Sequence, residues 1–158
     1  VVSLSSAPTG RARLLRYDAP LGTGHGLRHV RDTLAHWGLD GESEQASDAV
    51  LVAGELLANA RQHGGGARAV ELSWHGTRLR IAVSDSNQRS PRLVWPHLPA
   101  RPSGHGLYLV ERLARRWGVL PRRQGKTVWA ELRMPMLFGP ALLPPHRSGR
   151  HQIDGAPR

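Results

Sequence analysis

Three observations predict a two-layer α/β (α+β) sandwich, with a mixed, largely antiparallel sheet covered by three helices on one face. Apolar residues recur at helical spacing in two stretches before residue 64 and in a third after residue 104. Two alternating stretches form a hairpin that ends at Asp85, and two further short stretches form a second hairpin that ends at Arg133. The order is helix, helix, strand, strand, loop, helix, strand, strand, which suits helices packed on one side of a sheet. The sequence holds no internal repeat.

The first helix is expected from about Thr23 to Trp37, where Leu27, Val30, Leu34 and Trp37 form one stripe and Gly38 ends it. The second runs from about Ser43 to His63. Gly64-Gly65-Gly66 stops it, because three glycines favour backbone conformations that a helix does not use. Val70, Leu72 and Trp74 then alternate with polar residues, as do Leu79, Ile81 and Val83, with His75-Gly76-Thr77 between them. This is a hairpin with one buried face. Residues 86–103 carry Pro91, Pro96, Pro99 and Pro102 without an apolar period and read as a long loop. A third helix opens at Gly104-His105-Gly106 and is expected to reach Trp117 through Leu107, Val110, Leu113 and Ala114. In the second hairpin Val119–Arg122 and Thr127–Arg133 flank a turn at Gln124-Gly125. Residues 1–22 form an N-terminal segment with an edge strand over Ala12 to Tyr17, residues 23–133 the domain, and 134–158 a Pro-rich tail with no expected fold.

The 158 residues suffice for one domain with an ordinary core. Without cysteine, a disulfide scaffold, a thiolate zinc site and a cysteine nucleophile are excluded. No apolar run approaches the ~20 residues of a membrane span. No basic segment followed by an apolar block opens the chain. A cytoplasmic protein without membrane association is expected. The net charge of +10 invites a nucleic-acid reading, but the excess is spread along the chain and aromatics make up only 5%. A nucleic-acid-binding protein is therefore kept only as a distant alternative. His25, His29 and His36 lie with Asp32 on the side of the first helix opposite its apolar stripe. A metal spacing is present in His25 and His29, but a solvated or partner-docking face is the stronger reading.

The chemistry concentrates at three places. In Ala49–Ala60 only Glu55 and Asn59 are strongly polar, and their spacing puts them on one helical face, extended by His63. Such groups need partners inside an apolar helix. They either point out through a gap in the packing or face a ligand, where Asn can bind a hard cation through its carbonyl oxygen and Glu can take a proton. Gly104 and Gly106 open the third helix, whose first N–H groups have no internal partner. A phosphate could approach them closely, or this is a plain loop-to-helix junction. Asp85 ends a strand just before the long loop. Its carboxylate suits an exocyclic amine, or simple turn chemistry. A P-loop is absent from the sequence.

Taken in order, Glu55-x3-Asn59 with His63-Gly64, then Asp85, then Gly104-x-Gly106, then Gly125-Lys126-Thr127 resemble the boxes of the GHKL ATPase superfamily. The resemblance covers roughly residues 23–133 and is strongest in Glu55–Gly64 and Gly104–Ala114. The short format is most similar to bacterial anti-sigma-factor serine/threonine kinases and actinobacterial ATP-binding regulatory proteins. The resemblance implies a Bergerat ATP-binding fold with ATP and Mg²⁺ as ligands. Asn59 would hold the metal, and Asp85, supported by Thr127, would bind the adenine amine. Gly104, His105, Gly106 and Leu107 would lie at the phosphates, with His63 beside the site. Glu55 would be the catalytic base. The implied reaction passes the γ-phosphate to a Ser or Thr of an anti-sigma-factor antagonist and controls transcription by partner switching. Expected protein partners are a sigma factor and that antagonist, with a homodimer left open. Where the family carries Asp-x-Gly-x-Gly, this chain reads Asp85-Ser86-Asn87-Gln88-Arg89, without glycine. This keeps a second reading open, a non-catalytic module whose protein-binding surface responds to nucleotide.

Overall fold

The computed structural model describes residues 2–7, 10–39, 41–89 and 105–134. Gly104, the tail from residue 135 and most of the expected long loop lie outside the described residues. The elements are β1 (Val2–Ala7), β2 (Gly10–Leu21), α1 (Thr23–His36), α2 (Glu44–Gly64), β3 (Ala67–His75), β4 (Arg78–Asp85), α3 (His105–Leu113), β5 (Arg116–Arg122) and β6 (Gly125–Arg133). The strands form one sheet in the order β1-β2-β3-β4-β6-β5, and each described pairing is antiparallel.

Alternation along the strands builds the core in rows. Val70, Val83 and Val128 stand side by side across β3, β4 and β6; Leu72, Ile81 and Ala130 form the next row, and Trp74, Leu79 and Leu132 the third. All nine are buried. α2 lies over β4 and β6, α1 packs on α2, β2 and β3, and α3 packs on α2 and β5. Val30 and Leu34 of α1, followed by Trp37, join the core, where the Trp37 and Trp74 rings meet edge to face at 6.2 Å. Ser43 caps α2 by accepting a hydrogen bond from the Ala46 N–H at 3.2 Å. Gly65 ends α2 in the left-handed conformation, φ 70°.

The opposite sheet face carries a charged ladder. Arg116 donates to Glu131 at 2.7 and 3.1 Å, and Arg80 stacks over the Trp129 ring, 4.1 Å from its centroid. The Glu131 carboxyl is held below its usual pKa, first by the Arg116 hydrogen bond, against the opposing effect of burial. Among the described residues, no helix is long and apolar enough to cross a membrane.

The sequence expectation differs from the structure at three boundaries. Ala12 to Tyr17 belongs to β2, which pairs on both sides, because β1 folds back across it as the outer strand. The third helix stops at Leu113, short of Trp117. The chain there extends instead, with the Arg115 N–H donating to the Glu131 carbonyl at 2.8 Å and Trp117 pairing with Ala130 in the sheet. Strand pairing thus supplies the backbone partners that a longer helix would have supplied. Met134, expected to start the tail, is buried in the core and its N–H donates to the Thr77 carbonyl at 2.9 Å.

Candidate functional site

The second helix presents both of its singular polar residues at one side. Glu55 and Asn59 are half-buried, whereas Val52, Ala53, Leu56, Leu57 and Ala60 around them are fully packed. The α3 backbone comes close to Glu55 at Gly106, where a Cβ would strike the Glu55 carboxylate oxygen Oε2. Glycine at 106 therefore lets the first turn of α3 reach α2. The N–H groups of that turn lack helical partners and carry positive potential beside the carboxylate. Asn59 Nδ2 is buried and has no hydrogen-bond partner among the described residues. Leu107 turns a buried side chain into the protein, so its backbone is the part left to serve a ligand. His105 is the first residue of α3.

The strand end closes the site from the other side. The apolar rows of β3, β4 and β6 continue into a row formed by Ala67, Asp85 and Lys126. Asp85 and Lys126 are both buried, and Lys126 Nζ donates to Asp85 Oδ1 at 2.9 Å. The same oxygen accepts the Asn87 N–H at 2.9 Å. Its companion, Asp85 Oδ2, is buried without a partner among the described residues. Gly64, at the end of α2, rests directly on Asp85, and a Cβ there would collide with the carboxyl group. Asn87 Nδ2 donates to the His63 carbonyl, and Asn87 Oδ1 accepts the Arg89 N–H at 3.0 Å. Side-chain turns of Asn87 thus order the glycine-free segment after Asp85. Lys126 Nζ also donates to the Asn87 carbonyl at 3.0 Å.

The structure therefore brings Glu55 to Gly106, and Asp85 to Gly64. His63 contributes its carbonyl, while the residue itself is exposed. Among the described residues no hydrogen bond joins Thr127 to the Asp85 carboxylate, which takes its donors from Lys126 and Asn87. Thr127 pairs with Ser84, one residue off the Asp85 row, and its hydroxyl lies 2.8 Å from Ser84 Oγ and accepts from Arg122 Nε at 3.2 Å. The residue beside Asp85 is Lys126, which sequence reasoning left out of the site. One signal was available: it is the sole lysine in a chain otherwise furnished with arginine. On α1, His25 and His36 are exposed and His29 is half-buried. Burial lowers the His29 pKa, helped by the Arg13 charge and opposed by Asp32. Among the described residues no three His, Asp or Glu side chains converge as a metal-binding group.

The sequence profile of a domain family described as the histidine kinase-like ATPase domain matches residues 24–132. A search of curated proteins finds no match to the chain.

Proposed function

The chain belongs to the histidine kinase-like ATPase domain family, and from that premise we propose that it is an ATP-dependent serine/threonine protein kinase of the anti-sigma-factor type. Family membership makes this an ATP-binding domain. The residues present fit that ligand: among the described residues the buried Asp85 Oδ2 has no donor and the buried Asn59 Nδ2 no acceptor, and Gly106 lets the α3 turn approach Glu55. Asp85 accepts a hydrogen bond from the base amine. The backbone N–H groups of His105, Gly106 and Leu107 in the first α3 turn would receive phosphate oxygens, with Gly104 just before them in the sequence kept for the same role. Asn59 offers its carbonyl oxygen to Mg²⁺, which when bound neutralises phosphate charge.

A single observation carries the kinase reading. Glu55 is the carboxylate set against that N–H-rich turn, one helical turn from Asn59. In this reading it takes the proton of an acceptor Ser or Thr hydroxyl. The hydroxyl oxygen then bonds the γ-phosphorus, the bond from that phosphorus to the β,γ-bridging oxygen breaks, and ADP leaves with the bond's electrons. The acceptor is an anti-sigma-factor antagonist, and phosphorylation switches which partner the kinase or a sigma factor holds. The glycine-free segment bound to His63 through Asn87 favours a second reading, a module that responds to nucleotide without transfer.

The test is Mg²⁺-dependent ATP titration together with γ-phosphate transfer to an antagonist protein. Glu55→Ala should retain ATP binding and lose about 10²–10⁴-fold in transfer. Asn59→Ala should weaken both. Transfer by Glu55→Ala at the wild-type rate overturns the base assignment, and ATP binding by the wild type without any transfer selects the second reading.

A further inference from the structure

Lys126 is a buried cation for which the phosphotransfer scheme has no use. Its side chain is 1% exposed, and its ammonium donates to Asp85 Oδ1 at 2.9 Å and to the Asn87 carbonyl at 3.0 Å. Asp85 Oδ1 thus takes two donors, from Lys126 and from the Asn87 N–H, while Asp85 Oδ2 takes none among the described residues. That asymmetry fixes the carboxylate. A half-turn about its last bond would exchange the two oxygens but leave the same arrangement, one saturated and one bare. Any intermediate rotation breaks both hydrogen bonds. What remains is a lone buried acceptor of set direction.

We propose that Lys126 is a positioning residue that determines base specificity: it pins Asp85 so that the bare oxygen accepts from a 6-amino purine and rejects a 6-oxo purine. This inference rests on the nucleotide-binding reading above. An exocyclic amine gives the bare oxygen the donor it lacks. An exocyclic oxygen sets lone pair against lone pair in a buried place, where an unmatched polar contact is costly. Without the ammonium, the carboxylate loses both its counter-charge and one of its two anchors. It is then able to turn away from an opposing oxygen, and discrimination falls.

The experiment compares binding of ATP and inosine triphosphate, in the presence of Mg²⁺, to the wild type and to Lys126→Met, Lys126→Gln and Lys126→Arg. Folding of each variant is checked by thermal melting. The wild type should prefer ATP by about 10- to 100-fold, the worth of one hydrogen bond to a charged group. Lys126→Met and Lys126→Gln should bring the ratio toward one, through tighter binding of inosine triphosphate together with weaker ATP binding. Lys126→Arg, which keeps the charge, should restore most of it, an outcome that loss of packing alone does not give. If Lys126→Met does not fold, Lys126→Gln carries the comparison. An unchanged ratio in a folded neutral variant overturns the inference, as does a wild type that binds both nucleotides equally. A wild type that binds neither overturns the nucleotide reading, and this inference with it.

Discussion

At the scale of single residues, the most consequential pair is Asp85 and Lys126, whose side chains are 0% and 1% exposed. Two charges removed from water repay their desolvation only through each other and their hydrogen bonds. Removing either alone strands the other. Asp85→Asn and Lys126→Met should each cost about 3–5 kcal/mol in urea unfolding. The double variant should cost less than their sum, with a coupling of about 1–3 kcal/mol. Strict additivity would show that the two side chains do not depend on each other. Half of this pair was legible beforehand. Asp85 stands out as a carboxylate closing an alternating apolar strand. Lys126 does not, since its partner is 41 residues away and only the strand register reveals the meeting. The same register sends the Thr127 hydroxyl to Ser84. Glu55 and Asn59 were visible because a carboxylate and an amide interrupt an otherwise apolar helix.

At the scale of elements, the β5–β6 hairpin is fastened by the Glu131 ladder on the face away from the helices. Because the folded Glu131 pKa lies below its usual value, the folded state binds fewer protons than the unfolded chain as acid is added. The stabilisation is therefore complete above the ordinary carboxylate range and is lost as pH falls through the lowered value. Urea unfolding of wild type and Glu131→Gln should differ most near neutrality, and the gap should close as the pH is taken down toward 3. A gap independent of pH would show that the ladder acts through packing rather than charge. This hairpin is also where sequence periodicity misleads. Ala114 and Trp117 continue the apolar stripe of α3, yet Trp117 also suits a half-buried strand, and its pairing with Ala130 decides between the two. The helix pair α1–α2 and the β3–β4 hairpin were clearer, because their periods run uninterrupted into glycine stops.

At the scale of the whole molecule, the proposed site joins both layers: α2 would supply Glu55 and Asn59, α3 its first turn, and the sheet Asp85 and Lys126. A ligand held across them stabilises the folded state by mass action, by about 2.7 kcal/mol when present at a hundred times its dissociation constant. ATP with Mg²⁺ should therefore raise the melting temperature by about 10 °C under those conditions. Asn59→Ala should abolish the part of that shift that depends on Mg²⁺, and an undiminished shift would remove Asn59 from the metal. The buried ammonium also gives the molecule an unusual chemical surface. With its sole lysine sealed beneath the end of α2, the folded protein shows acylating dyes and amine-directed cross-linkers no lysine side chain at all. Any label that does reach that nitrogen records a moment when the floor of the site stood open.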